Sequence, residues 1–364
     1  MKKLTIKSMK IDSLNIDFKD GANYIVGSNA SGKSTVFNCI KYALGITRKN
    51  NQPQIQAIEL NILIDDAQYK FHRTAESAKL TVLHENRIST YQAQSEELES
   101  FLSDVLKPTY MYETNTESTL DILNFCFLSE EHSNNRRLQW ESISSICGIN
   151  TRLLRSTKND IDTLKSEITQ NKILETTVNA FSDLLENEKP DITQEINNVK
   201  KIFFKPYRDT EELYINASLK LEMVANHSNQ NLRDKLLEIS ERVHELSDFS
   251  AKELGNLEDL ESFIKGGKRV MSYGEETSLR FILVLAIAQK KSDLKLNFPQ
   301  LIVNDCYLSL NDYESRNKIQ NIINTSLLKN NNLQYIEFTR HAPNSKDDVI
   351  LDMNSAGARH AFNN

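Results

Sequence analysis

The stretch "GSNASGKST", Gly27 to Thr35, constrains the fold of this chain more than any other. It fits the spacing G-x-x-x-x-G-K-[S/T]. The apolar run "YIV" precedes it, and a helical pattern from about Thr35 to Leu44, stopped at Gly45, follows it. A strand, a tight glycine loop and a helix in that order aim backbone N–H groups inward at the positive end of a helix dipole. Such a loop binds anionic oxygens, and it needs glycine where a side chain would block their approach. In this setting Lys33 places a cation at the β- and γ-phosphates of a nucleotide, and the Ser34 hydroxyl reaches a magnesium ion. Gly27, Ser28, Asn29, Ala30, Ser31, Gly32, Lys33, Ser34 and Thr35 are therefore expected to line a nucleotide site. The unit implies an α/β core built on a strand–loop–helix unit. Alone, it leaves kinases, GTPases and other nucleotide enzymes open.

At 364 residues the chain exceeds one compact domain, so two domains or one domain with a large insertion is expected. The formal charge of -6 argues against a protein coated in nucleic acid, although 44 Lys and Arg residues leave room for a basic patch. No apolar run reaches the ~18 residues of a membrane span. Met1 to Lys7 alternates like a strand and lacks the apolar centre of a signal peptide. Cys39, Cys126, Cys147 and Cys306 are scattered without a C-x-x-C. That spacing argues against a zinc site and a disulfide framework, and it fits a reducing cytoplasm.

Along the chain, "LTIKSMKI" and "LNIDF" alternate as strands and "KDGAN" makes a turn before "YIV". A meander of strands is expected from about 58 to 88. "YQAQSEELESFLSDVL" reads as an amphipathic helix stopped before Pro108, and residues 117–148 read as helical. From about 150 to 250 glycine is absent and apolar residues recur at helical spacing among charged ones. Pro190 and Pro206 are expected to break this stretch into several helices. The organisation is thus a split head, 1–149 and 255–364, around an inserted helical arm, 150–254. After 255 come a helix from Glu275 to about Gln289, the strand "LIVN", a helix near 313–328 and the strand "LQYIEFT".

Met271-Ser272-Tyr273-Gly274-Glu275 opens the helix about thirty residues before "LIVNDCYLSLND". A serine and glycine N–H groups at a helix start make a second anion site; a Ser-to-Glu capping box is the plain structural alternative. With the phosphate loop upstream, these motifs resemble the SMC/RecF/RecN/SbcC-like ABC-type ATPases, in which a split head carries a helical insertion. The resemblance covers about 1–148 and 255–345. It implies a mixed sheet with flanking helices and an antiparallel β subdomain. It also implies ATP and Mg2+ as ligands, and a dimer of heads in which Ser272, Gly274 and Glu275 of one close over the nucleotide of the other.

The same resemblance sets Glu130 at the position of the family's glutamine, beside the metal, and His341 at the position of its switch histidine. The acidic pair is altered. In one register Asn304 stands at the metal-side acid and Asp305 at the catalytic acid; this register keeps Leu310 in place and is preferred. In the other, Asp305 handles the metal and Cys306 stands where the base belongs, a poor proton acceptor with an ordinary thiol pKa of ~8.5. Either way one carboxylate remains where the family has two, so hydrolysis is expected to be slow. The resemblance implies a switch in DNA repair or anti-phage defence that controls a nuclease or toxin partner, with DNA contact possible and no membrane. The competing reading is a scaffold that assembles on ATP without turnover.

Overall fold

The structure is a computed structural model that describes residues 1–48, 55–74, 77–111, 119–129, 136–149, 151–188, 193–246, 260, 263–264, 273–305, 320–325, 332–340 and 348–355. The chain divides into two compact units, residues 1–150 together with 232–364, and residues 151–231.

The first unit is built on two sheets. One has six strands in the order β2-β1-β4-β5-β6-β7, formed by β1 (Leu4–Ile11), β2 (Leu14–Asp17), β4 (Ala57–Ile64), β5 (Ala67–Thr74), β6 (Lys79–His84) and β7 (Arg87–Gln92). All its pairings are antiparallel. The alternation of β4 makes the reason plain: Ile58, Leu60, Ile62 and Ile64 point into the core while the residues between them are half-exposed. The other sheet has the order β11-β3-β10-β9-β8, from β3 (Ala22–Val26), β8 (Phe127–Leu128), β9 (Leu301–Asn304), β10 (Gln334–Thr339) and β11 (Val349–Asp352). Its pairings are parallel. Every residue of β9 is buried, as expected of a strand covered on both faces.

Helix α1 (Lys33–Ala43) covers one face of the parallel sheet, where Phe37 meets Phe127 and Phe338 edge-on at 5.8 Å each. The opposite face packs on α7 (Tyr273–Leu294), through Phe281 against Tyr335 at 5.9 Å. Helix α1 ends in a Schellman motif: Gly45, at φ 76°, donates to the Tyr42 carbonyl and Ile46 to that of Lys41. A Cβ on Gly45 would also lie 2.5 Å from Leu98 Cδ2, so glycine is required there twice over. Arg73, 1% exposed, completes the helix end. Its guanidinium stacks 3.5 Å over the Tyr42 ring and donates to the carbonyls of Tyr42, Thr47, Arg48 and Ser77.

Two buried amide side chains act as substitute backbone. Gln334 accepts from the Ile6 N–H and donates to the Ile6 and Lys19 carbonyls, next to the register shift of β1 between Ile6 and Ser8. Asn297 accepts from Thr109 N–H and donates to the Thr109 and Ser145 carbonyls. Other helices of this unit among the described residues are α2 (Glu96–Leu106), capped by the Ser95 side chain on Leu98 N–H, α3 (Thr119–Phe125) and α4 (Arg136–Ile146), and residues 320–325 are helical too.

The second unit comprises α5 (Thr151–Glu188) and α6 (Thr193–Leu246) up to residue 231. Ile161 and Ile168 on α5 and Ser228 on α6 are buried, with Leu164, Tyr214, Leu221 and Val224 half-buried between them at three- and four-residue steps. That spacing is a two-helix seam.

Three sequence expectations are revised. Pro206 does not end a helix: α6 runs through it, because the loss of one N–H, worth ~3 kcal/mol, is small beside the bonds of a 54-residue helix. The region read as wholly helical contains β8, two residues long and too short to show a period. "YQAQ" belongs partly to β7, since Glu85 and Asn86 at φ 47° and 65° turn the chain into a hairpin. Among the described residues, no helix is long and apolar enough to cross a membrane.

Candidate nucleotide site

Strand β3 ends at Val26, in parallel register with Thr339, and the Gly27 N–H donates to the Thr339 carbonyl at 3.1 Å. The chain then leaves the sheet and winds back through the glycine loop into α1. Two residues of the loop need left-handed backbone: Gly32, which precedes α1, at φ 94°, and Ala30 at φ 58°. Ala30 adopts a conformation that a side chain disfavours by about 1 kcal/mol or more, so the fold imposes the loop's shape against local preference. Gly27 has no such φ but no room either. A Cβ there would lie 2.4 Å from Ser31 Oγ and 2.7 Å from Met353 Cβ.

Lys33 is 4% exposed, and its ammonium donates to the Gly27 and Ser28 carbonyls at 2.7 Å each. Burial lowers its pKa; Asp305 acts against that shift and Arg340 adds to it, so both charges are felt at the lysine. Ser31 Oγ is buried without a hydrogen-bond partner, while Ser34 stands exposed in the first turn of α1 and Thr35 is half-buried. Ser28, Asn29 and Ala30 are exposed.

The other wall of the loop comes from a segment in which the sequence shows no motif. Strand β11 pairs with β3, and beyond it the Met353 N–H donates to the Val26 carbonyl. Asn354 Oδ1 then accepts from both the Ser28 N–H, at 3.1 Å, and the Ser28 hydroxyl, at 2.9 Å. The only sequence sign of this turn is "DMNS" after an apolar run, a combination of turn-forming residues.

Asn304 and Asp305 part company at the end of β9. Asn304 is fully buried and pairs in register with Glu337 of β10. Its Nδ2 donates to the Tyr335 hydroxyl at 3.2 Å, which in turn donates to Glu337 at 2.8 Å. Burial and the neighbouring Glu337 hold the Tyr335 phenol well above its ordinary pKa. Tyr335 meets Phe281 of α7, so this network lies on the face opposite to α1. Asp305 follows, half-buried, with its N–H donating to the Leu128 carbonyl, and interacts electrostatically with Lys33. The structure therefore brings Gly27, Ser31, Lys33, Ser34, Asp305 and Arg340 to one edge of the sheet and turns the Asn304 amide to the other face. Glu130, Ser272, Cys306, Leu310, Asn311, Asp312 and His341 lie outside the described residues; Gly274 and Glu275 fall in the first turn of α7.

These residues fit a nucleoside triphosphate. An unbonded buried hydroxyl, a lysine held by loop carbonyls and a cradle that a Cβ would fill are the features of a phosphate-binding loop.

A family model described as an AAA domain matches residues 3–337. Among solved structures, the chain is similar to the Smc head domain with an extended coiled coil from Pyrococcus furiosus, bound to the C-terminal domain of ScpA. The identity is 13% and the TM-score 0.51, over 92% of this chain and 90% of that one. It is also similar to an Smc head bound to the C-winged helix domain of ScpA, at 13% identity and a TM-score of 0.44, over 93% and 90% of the two chains. No curated protein matches it.

Proposed function

Because this chain belongs to the AAA-domain family, we propose that it is an ABC-type ATPase head whose closure on a second head is driven by ATP. Its fold is that of an SMC-type head, an α/β P-loop unit interrupted by a helical arm. The observation that carries the reading is Lys33, buried in the loop with its ammonium on the Gly27 and Ser28 carbonyls. A phosphate chain entering the loop gives that cation a stronger, oppositely charged partner, and the loop N–H groups a ligand.

In this reading Ser34 and Asp305 hold the magnesium that accompanies ATP, which supplies charge neutralisation at the phosphates. Asp305 also orients the attacking water. The engagement of Asn304 with Tyr335 favours the register in which Asp305, not Asn304, is the metal-side acid. The family resemblance assigns Ser272, Gly274 and Glu275 to closure over the partner's nucleotide, Glu130 to the metal and His341 to a hydrogen bond on the γ-phosphate. A single carboxylate serving two tasks gives slow turnover and a long-lived closed state, which suits a switch. We assign the switch to DNA repair or anti-phage defence, through a bound effector such as a nuclease or toxin. Binding of a partner domain by the Smc heads in the solved structures supports a protein partner. Cys39, Cys126 and Cys147, all free thiols, support a reducing, cytoplasmic setting.

The same single carboxylate also favours a second reading, a scaffold that assembles on ATP and does not turn over. Light scattering of the purified chain with ATP, ADP and no nucleotide, beside a phosphate-release assay, separates them. ATP-dependent dimers that dissolve as phosphate appears support the switch; dimers without release support the scaffold. No ATP binding, or binding unchanged in Lys33→Ala, refutes both.

A further inference from the structure

Among the described residues four strands end the two sheets, and three of them are blunt. Strand β2 has four residues, β8 has two, and β11 shifts register between Val349 and Leu351. Strand β7 differs. It runs for six residues against β6 in unbroken register, contains no Pro, Gly or Lys, and has no described strand on its outer side. Arg87, Ile88, Ser89, Thr90 and Gln92 are all exposed. Such an edge is a template for one more strand, and proteins that leave an edge unused shorten, bulge or charge it.

The turn at Glu85 and Asn86 fixes which groups point outward. In a two-residue hairpin turn of positive φ the flanking residues, His84 and Arg87, exchange backbone hydrogen bonds, and every second residue follows them. Ala93, in phase with Arg87, Ser89 and Tyr91, donates its N–H inward to the Ala78 carbonyl, as that alternation requires. The N–H and C=O groups of Ile88 and Thr90 therefore point away from β6. The Gln92 carbonyl, next in line, is taken by the Ser95 N–H, which closes the free ladder at that end. Ile88 is 72% exposed and its cross-strand neighbour Leu83 38%, so an apolar pair borders the free groups.

We propose that β7 pairs antiparallel with β7 of a second copy of this chain, about a two-fold axis at Ser89 and without nucleotide. Ile88 then lies opposite Thr90 of the second copy, and each outward N–H of the two meets a carbonyl. The charges fit this occupant. Arg87, exposed and in no ion pair within the chain, opens the edge, and the exposed Glu96 and Glu97 follow it on the first turn of α2. Arg87 is in phase with Tyr91, which stacks on Phe101 of α2, so the cation and the acidic turn belong to one face of the sheet. Antiparallel pairing of two copies sets each cation at the acidic end of the other, whereas parallel pairing sets like beside like. The contact is self-complementary and closes as a dimer. It uses neither the phosphate loop nor α7, so ATP-driven closure adds to a pair already formed.

The test is sedimentation velocity of the full chain without nucleotide over a wide concentration range. The native chain is expected to pass from monomer to dimer. Ile88→Lys and Arg87→Glu, both at exposed side chains, should each weaken the dimer roughly tenfold or more without lowering the melting temperature. Arg87→Glu combined with Glu96→Arg and Glu97→Arg should regain most of that loss. Ser89→Cys, on the axis where paired Cα atoms lie about 4.5 Å apart, should cross-link under mild oxidation above the level of the native chain. A native chain that stays monomeric overturns the inference, whether or not ATP then dimerises it. So does a dimer that Ile88→Lys and Arg87→Glu leave intact, or one that Ser89→Cys does not trap. If Ile88→Lys melts early, the charge reversal decides: no recovery in the triple variant overturns the pairing. Nucleotide-free monomers that dimerise on ATP leave the ATP reading standing, and nucleotide-free dimers that bind no ATP leave this inference standing alone.

Discussion

Replacing Asn304 by aspartate would restore the acid that the family has at one register, and the structure says it should harm the protein. Asn304 and Tyr335 are both 0% exposed and Glu337 is 6% exposed. A hydrogen-bond chain runs from Asn304 Nδ2 to the Tyr335 hydroxyl and from that hydroxyl to the Glu337 carboxylate. Asn304→Asp removes the first donor and sets a second carboxylate at the position paired with Glu337. The single Tyr335 proton can serve only one of them. An unpaired buried charge costs about 3–5 kcal/mol. The alternative is uptake of a proton, with the pair's folded pKa raised above the ~3.9 of an unfolded aspartate. A raised folded value means that the variant matches the native chain below about pH 4. It then loses roughly 1.4 kcal/mol per pH unit as pH rises towards that folded value. Urea unfolding at pH 5 and pH 8 measures this directly. Glu337→Gln should rescue Asn304→Asp, because the double variant again holds one carboxylate and one amide around the Tyr335 hydroxyl. The two changes should couple by at least about 2 kcal/mol. Equal stability of Asn304→Asp and the native chain at pH 8 would refute the argument. So would strictly additive variants, since both outcomes would mean that position 304 does not see Glu337.

Arg73→Met strips donors from three carbonyls at and beyond the end of α1 and from that of Ser77, and should cost about 3–5 kcal/mol in chemical denaturation. Arg73→Lys should recover less than half of that, because an ammonium cannot fork to several acceptors or stack on Tyr42 in the same way. Asn354→Ala deletes two hydrogen bonds to Ser28, worth together about 1–2 kcal/mol, and is expected to weaken ATP binding roughly five- to thirtyfold by loosening the loop; tighter binding would show instead that the turn restrains it. Burial pushes the Cys39 and Cys147 thiols up to about 12 and Cys126 higher still, so all three should resist iodoacetamide at pH 8, as read by intact mass. Because those folded values lie above the ordinary thiol value of ~8.5, their stabilisation is complete below about pH 8.5 and drains away as pH rises towards 12, at roughly 1.4 kcal/mol per pH unit per thiol.

What the sequence could reveal followed from periods and from local chemistry. The alternation of β4, the glycine spacing of the loop and the Ser95 cap of α2 are each written within a few neighbouring residues. The contacts that shape the site are not local. Asn354 reaches Ser28 across 326 positions, and Gln334 reaches Ile6 across 328. Gln334 is a polar residue that a hydrophobicity pattern would leave in solvent, and it is held because buried backbone groups need partners, whereas Asn354 and Ser28 are exposed and their bond joins two turns. The pair Asn304 and Asp305 shows the limit most sharply. On a strand, neighbouring side chains face opposite sides, so a slip of one residue exchanges which of them meets the phosphate loop. Alternation usually fixes that choice, but Leu301, Ile302 and Val303 are buried on both faces and carry none. The deciding information sits on the neighbouring strand. Glu337, in register with Asn304, and Tyr335 two residues before it hold the amide on the α7 side. The next residue, Asp305, is then the one that Lys33 feels. A motif that looked damaged when read along the chain is, across the sheet, one acid near the phosphate-loop lysine and one amide committed to the core.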